Sequence, residues 1–386
     1  MSATTALLFT TNPGLEDIVA REFVERLRAQ GLERCWGVPK PYGLSGYARG
    51  EAAYPRSVVE PLAHEMRSVY HVLRPVHEFR LPEGDALGAI RDELCRVEIP
   101  ELRAAHSFRV STERVGQHPF TSLDIMREAG AALVERYNCD VNLTGYEVNV
   151  RVDVYHDLCL VGLQLTREPL DRRFPRVYHH RAALKAVVAY GLLRLAHLER
   201  AEGALLDPFC GSGTILLEAA FVMPAYELHG CDVDSRAVEG ARQNAALLGL
   251  VERVHLRCAD ALHLAEVYAP GTFEAIITNP PYGVRVGRGL NFYRFYTRFL
   301  AQAHHVLCPD GRLVLLARRR GALNRAVRDH GGFECATCGL VRPVASTRRS
   351  SSWNAGSNHS VDSPGAAPRA WSSGAQGRVG VQLQSR

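Results

Sequence analysis

Five apolar runs dominate the second half of the chain: "GALLDPF", "YELHGCDV", "VHLRCAD", "FEAIITN" and "GRLVLLA". A helical stretch follows each one. Short apolar runs of this kind predict strands buried on both faces, and their alternation with helices predicts a mostly parallel sheet covered on both sides. The expected class for residues 171–344 is therefore α/β. In such sheets ligands bind outside the carboxyl ends of the strands, so residues that close these runs share one rim.

The chain has 386 residues, room for two or three domains. Residues 1–57 open with a strand, "ALLFT", and a helix in which Leu15, Ile18, Val19, Phe23 and Leu27 recur at helical spacing. The rest of that segment is rich in Gly, Pro and Tyr and predicts no element. Residues 58–170 read as α+β: a strand at 106–114, an N-capped helix at 121–137, and a hairpin at 146–165 turned at His156–Asp157. On that hairpin Val148, Val150, Val152 and Val154 face a core, and Asn149, Arg151 and Asp153 form a polar face. Residues 345–386 are rich in Ser, Gly, Ala and Arg with almost no aliphatics, which predicts a flexible tail whose final "RVGVQLQ" pairs as an edge strand at most. A frame error would give the same composition.

No run of about 18 apolar residues is present, and the start lacks a basic leader with a cleavage site, so a cytoplasmic protein is expected. Eight of the ten cysteines are scattered singly; only Cys335 and Cys338 form a pair, with no second pair to complete a tetrahedral metal site. Free thiols and no metal follow. The paired histidines, His179–His180 and His304–His305, also lack partners at ligand spacing. Of 46 basic residues only Lys40 and Lys185 are lysine, and the net charge is +5. Arginine forks suit phosphates and base edges, so a nucleic-acid partner is permitted.

The first chemical site is "LLDPFCGSGTILLEAA", a buried strand ending at Asp207, a tight turn through Gly211 and Gly213, and a helix. A helix N-terminus behind glycines favours a carboxylate or phosphate. Asp232 closes the next strand and stands where an acid takes ribose hydroxyls. A nicotinamide site would want glycine where Leu216 stands, and Asp207 would repel a pyrophosphate. It suits the amino group of S-adenosylmethionine instead. Asp260, followed by Ala261, closes the third strand, either accepting from the adenine amine or capping a helix.

The second site is "TNPPYG", closing the fourth run. Two successive prolines remove two backbone donors and fix both φ angles. What remains is a stiff corner with a side-chain amide and bare carbonyls. An exocyclic amine on a base is a poor nucleophile because its lone pair is delocalised into the ring. If Asn279 Oδ1 and the Pro280 carbonyl accept its two N–H bonds, the nitrogen becomes pyramidal and its lone pair is aimed. Tyr282 then stacks on the base.

These motifs resemble those of the class I S-adenosylmethionine-dependent methyltransferases of exocyclic amines, with their Rossmann-like fold. "FRVSTERVGQHPFTSLDIMREAGAALVERY" and the hairpin after it resemble the THUMP RNA-binding domain. "LLFTTNPGLEDIVAREF" is similar to the ferredoxin-like domain that precedes THUMP. The asparagine form of the clamp and the modest length look most like the tRNA (guanine-N2-)-methyltransferases. The resemblance implies a monomeric enzyme that uses S-adenosylmethionine at guanosine 6 of the tRNA acceptor stem, with the THUMP domain holding the tRNA 3′ end. It further implies that Ala183 and Leu184, in "HHRAALKA", help to hold the methionine part. Arg109, Arg114, His118, Phe120, Arg127 and Arg285 are the candidate RNA contacts, with the "RVGQHPF" loop foremost. Domains of this family close with an antiparallel hairpin; here "FECATCGLVRP" supplies one strand and "GRVGVQLQ" is left to replace the other. The competing readings are methylation of 23S rRNA guanine-N2 or adenine-N6, and a catalytically idle tRNA-binding protein whose tail spoils the sheet edge.

Overall fold

The computed structural model describes residues 4–179, 183–198, 202–281, 289, 291–317, 319–341 and 378–385, with the backbone alone for 334–341 and 378–385. The N-terminal part opens with β1 (Thr5–Thr10), α1 (Glu16–Arg28), β2 (Cys35–Pro39), β3 (Tyr47–Ala52), α2 (Arg56–His64) and β4 (His71–Arg80). The strands pair antiparallel in the order β2-β3-β1-β4. This is the ferredoxin-like βαββαβ arrangement. It runs to Arg80, past the boundary expected at residue 57, because β4 is hydrogen-bonded to β1.

The second part comprises α3 (Ala86–Arg96), α4 (Pro100–Ala104), β5 (Ser107–Ser111), β6 (Arg114–Val115), α5 (Ser122–Tyr137), β7 (Asp140–Val141), β8 (Val148–Tyr155) and β9 (Leu158–Gln164). Strand β9 pairs with β4, so one sheet runs through both parts. Helix α5 starts with a capping box: Thr121 Oγ1 accepts from Asp124 N at 3.3 Å, and Asp124 Oδ2 accepts from Thr121 N at 2.8 Å. The valines at 150, 152 and 154 enter the core beneath α3 and α5, as their alternation requires. The polar face is closed rather than open. Asp153 is 1% exposed, and it accepts from Tyr47 Oη at 2.7 Å and from Arg151 Nε at 2.8 Å.

The third part is built from α6 (Ala186–Leu195), β10 (Gly203–Asp207), α7 (Thr214–Val222), β11 (Tyr226–Asp232), α8 (Ser235–Leu247), β12 (Val254–Cys258), β13 (Phe273–Thr278), α9 (Phe292–Val306), β14 (Leu307–Ala317), α10 (Arg320–His330), β15 (Phe333–Val341) and β16 (Arg378–Ser385). The strand order is β12-β11-β10-β13-β14-β16-β15, parallel from β12 to β14 and antiparallel around β16. Successive strand residues enter opposite cores. Leu205, Ala275, Ile277 and Val314 pack on one face, and Leu206, Ile276, Leu313 and Leu315 on the other. That is why the runs read as continuously apolar. Ile276→Val, deep in this layer, should cost about 1 kcal/mol of stability, read from the urea midpoint.

Residues 378–385, expected in a flexible tail or on a sheet edge, form an interior strand between β14 and β15. The closing antiparallel hairpin that the resemblance implies is thus complete, with its second strand supplied from beyond residue 377. Among the described residues no helix is long and apolar enough to cross a membrane.

Candidate active site

The carboxyl ends of β10, β11 and β13 meet at one rim. Strand β10 delivers Asp207, which is 1% exposed. Its Oδ1 accepts from Thr278 Oγ1 at 2.7 Å and from Phe209 N at 3.2 Å. Burial, the dominant cause, pushes its carboxyl up to about 7, against the pull of these two donors. Thr278 is the last residue of β13, so one hydrogen bond ties the acid of the first strand to the residue before Asn279.

The turn after Asp207 needs its glycines. Gly211 and Gly213 have φ of +51° and +82°, and Gly213 is the N-cap of α7 with no side-chain cap. Gly211 N donates to Asp232 Oδ2 at 2.9 Å, and Asp234 N donates to Oδ1 at 3.0 Å. Asp232 therefore anchors the loop and retains lone pairs at the rim. Val233, beside it, is 73% exposed and presents an apolar surface there. Asp260 is exposed and caps the turn Ala261–Glu266, accepting from Leu262 N at 2.9 Å. The cap occupies one oxygen and leaves the other to a ligand. Ala261 is buried under it.

Asn279 is half-buried, and its Oδ1 is shut off from solvent with no hydrogen-bond partner among the described residues. Leaving a buried carbonyl without a donor costs about 1–3 kcal/mol, so Oδ1 is disposed to accept a hydrogen bond. Pro280 next to it is buried and has no N–H. Tyr282 and Arg285 lie outside the described residues.

Ser212 Oγ and Thr214 Oγ1 are likewise buried and unpartnered, at the start of α7. Two free hydroxyls at an uncapped helix N-terminus suit a carboxylate, buried Asp207 suits an ammonium, and Asp232 suits a diol. The rim thus fits S-adenosylmethionine part by part. Leu184 is buried against the sheet core and Ala183 is exposed, both just before α6.

Two roles were not legible from motifs. The bond from Thr278 to Asp207 is one. The other is Asn244 of α8, fully buried, whose Oδ1 accepts from Val177 N and Tyr178 N at 3.1 Å each. Its Nδ2 donates to Tyr178 O at 3.0 Å and to Ser212 O at 3.2 Å. It pins the chain leading to Ala183 against the glycine turn. Only its helical spacing after Asp232 marks it in the sequence. Asn244→Leu should weaken cofactor binding by about 1–2 kcal/mol through loss of this bracing, measured by calorimetry.

The RNA candidates separate. Arg109 lies over the Tyr146 ring at 4.1 Å, with Arg167 on the same ring at 5.4 Å. Tyr146, Asn149, Gln164 and Arg167 line a cleft of about 310 Å³. Arg114 Nη1 donates to His118 Nδ1 at 3.1 Å, and His118 Nε2 donates to His156 O at 2.7 Å, which shapes the loop. Phe120 is corrected. It is 7% exposed, packed in the core with His118 stacked on it, so it has no face for a base. Arg127 is exposed and pairs with Asp124 at 3.7 Å. Among the described residues no group of three or more His, Cys, Asp or Glu is placed to hold a metal ion.

Comparison with known proteins matches residues 173–342 to the RMKL-like methyltransferase domain and residues 90–164 to the THUMP domain. The chain is 38% identical over 319 residues to a tRNA (guanine(6)-N2)-methyltransferase of Thermus thermophilus, covering 82% of this chain and 90% of that protein. It is 28% identical over 218 residues to a tRNA (guanine(10)-N2)-dimethyltransferase of Methanocaldococcus jannaschii, covering 53% and 61%. The structure of TrmN from Thermus thermophilus superposes with a TM-score of 0.73 at 32% identity, covering 100% of both chains.

Proposed function

We propose that this chain, which belongs to the THUMP-containing methyltransferases with an RMKL-like catalytic domain, methylates the exocyclic N2 of a guanosine in tRNA, at position 6 of the acceptor stem. The observation that carries the reading is the buried Asn279 Oδ1, without a hydrogen-bond partner among the described residues, beside a donor-free proline. A base amine supplies the missing donor. Asn279 Oδ1 accepts one of its N–H bonds and the Pro280 carbonyl the other, which takes the nitrogen out of conjugation and points its lone pair across the rim. Tyr282 is assigned to stacking on the base.

S-adenosylmethionine, when bound, supplies a methyl group on a cationic sulfur. Asp207, Gly211, Gly213, Asp232, Asp260 and Ala261, with Ala183, Leu184 and Asn279 at the margin, are the residues assigned to hold it. The chain's task is alignment: with nitrogen and methyl held in line, most of the acceleration comes from proximity. Forming the C–N bond would break the methyl C–S bond, with its electron pair going to sulfur as a neutral thioether; the methylated nitrogen is then acidic, so its proton leaves to water and no strong base is required.

Arg109, Arg114, His118, Arg127 and Arg285 are assigned to the RNA, with Arg109 at the cleft favoured. The names of the relatives support guanine N2 in tRNA over 23S rRNA or adenine-N6. The idle-protein alternative assumed a spoiled sheet edge, and an interior β16 removes that assumption. The reading calls for a cytoplasmic enzyme and for neither a metal nor a second copy of the chain. Labelled methyl transfer into unmodified tRNA transcripts, followed by nucleoside digestion and mass mapping, should yield N2-methylguanosine at position 6. Absence of any methylated guanosine would overturn the assignment.

A further inference from the structure

Helix α7 carries a charge where none is needed for the cofactor. Glu218, one turn beyond Thr214, is 0% exposed. Its Oε1 is 2.5 Å from Arg67 Nε, and its Oε2 is 3.3 Å from Arg173 Nε. Arg67 belongs to the N-terminal part, between α2 and β4, and Arg173 to the connection from β9 to α6. Arg173 Nη2 also donates to the Arg67 carbonyl at 2.6 Å. Glu22 of α1, itself buried, accepts from Arg67 N at 2.8 Å and from Ser68 N at 2.9 Å. The Arg67 guanidinium sits over Phe174 and Phe221, which stack on each other at 5.4 Å. A continuous set of bonds thus runs from α1 through Arg67 and Glu218 to the helix that begins at the glycine turn.

Apolar packing would hold two domains together at no lower stability, since buried ion pairs seldom gain over hydrophobic residues of like volume. What directed charge pairs add is a fixed geometry. Relatives of this chain are named for guanine 6 and for guanine 10, so the position modified is not set by the transfer chemistry they share. The placing of the RNA-binding part relative to the rim is a variable that could set it. We infer that Glu218, Arg67 and Arg173 form the positioning joint that fixes this spacing and so selects one guanosine in the substrate. The inference rests on the proposed function, and the three residues act through geometry, not by contact with the reacting atoms.

The test uses the full chain with Arg67→Met, which keeps an apolar stem against Phe174 and Phe221 but removes the charge. Arg173→Met, which loses the longer arm to Glu218 and the bond to the Arg67 carbonyl but keeps the Arg67–Glu218 pair, stands in if that variant does not fold. Spin labels carried on unnatural amino acids at exposed Leu143 and Val251 report the distance between the two parts. The expected results are a broadened distance distribution, unchanged cofactor affinity, and kcat/KM for tRNA lowered at least about tenfold through KM. Methyl groups should spread to neighbouring guanosines, and Arg67→Lys should restore much of the single-site product. A narrow distribution with wild-type position and wild-type KM overturns the joint. If the wild-type chain methylates no guanosine in tRNA, the functional reading fails by itself. The distance distribution then decides the joint alone: broadening supports it and an unchanged width overturns it.

Discussion

Asn279→Ala should raise the barrier of methyl transfer by about 2–4 kcal/mol, the scale for removing one positioned polar partner, or about 30- to 1,000-fold in kcat. Cofactor affinity should fall far less than kcat, since Asn279 stands only at the margin of the cofactor. The reason lies in the state of Oδ1: buried and without a partner among the described residues, it is already organised to accept, so no reorganisation accompanies the transition state. The pyramidal amine exists only along the reaction path, hence the loss belongs in kcat. Asn279→Asp keeps an acceptor in place and should retain more activity than the alanine variant. Single-turnover rates at saturating cofactor and tRNA are the measurement. Full turnover by Asn279→Ala would remove the amine clamp from the mechanism.

Asp207 should make both stability and cofactor affinity depend on pH. Its folded-state value, about 7, lies above the ordinary 3.8 because burial disfavours the carboxylate. Between those values the folded state holds a proton that the unfolded chain has released. This contribution to stability is therefore greatest at acid pH and is lost as pH rises through the window towards 7. The loss reaches roughly 4 kcal/mol when ionisation is complete. A bound ammonium reverses the preference, since it favours the ionised form. Cofactor affinity should accordingly increase from pH 5 to 7 and level off above, and binding at pH 6 should release about one proton. Calorimetry in buffers of different ionisation enthalpy reads that proton directly. Asp207→Asn should flatten the stability slope of the ligand-free protein, abolish proton release and weaken binding. A pH-independent affinity between 5 and 8 would separate Asp207 from the amino group.

The catalytic sheet was legible because its strands are buried on both faces and end on chemistry. Asp207, Asp232 and Asn279 stand at strand ends in both the sequence reading and the structure. Strands β2 and β3 were not legible. Their glycines resemble loop residues, yet Gly37 and Gly50 are there because α1 packs closely: a Cβ would meet Ala20 O at 2.3 Å and the Phe23 ring at 2.7 Å. The Thr278–Asp207 bond, the Asn244 bracing and the Glu218 joint escaped for a different reason. Each pairs residues distant in the chain, and a single sequence carries no distances. Phe120 misled because an aromatic in a basic loop looks like a stacking platform until its neighbours are seen to cover it.

The insertion of β16 between β14 and β15 imposes an order on synthesis. Strands β10 to β14 can pair as they leave the ribosome. Strand β15 cannot, because β16 is its hydrogen-bonded neighbour in the sheet and emerges only after residues 342–377. Closing so long a connection costs little more than closing a shorter one, so its length and composition are free to drift. Its reading frame is not, since the frame decides whether β16 is made at all. Ending the chain at residue 344 would remove β16, strand β15 and leave β14 with an open edge, a template for aggregation. What looks in the sequence like a dispensable segment is the piece on which the closing of the catalytic sheet waits.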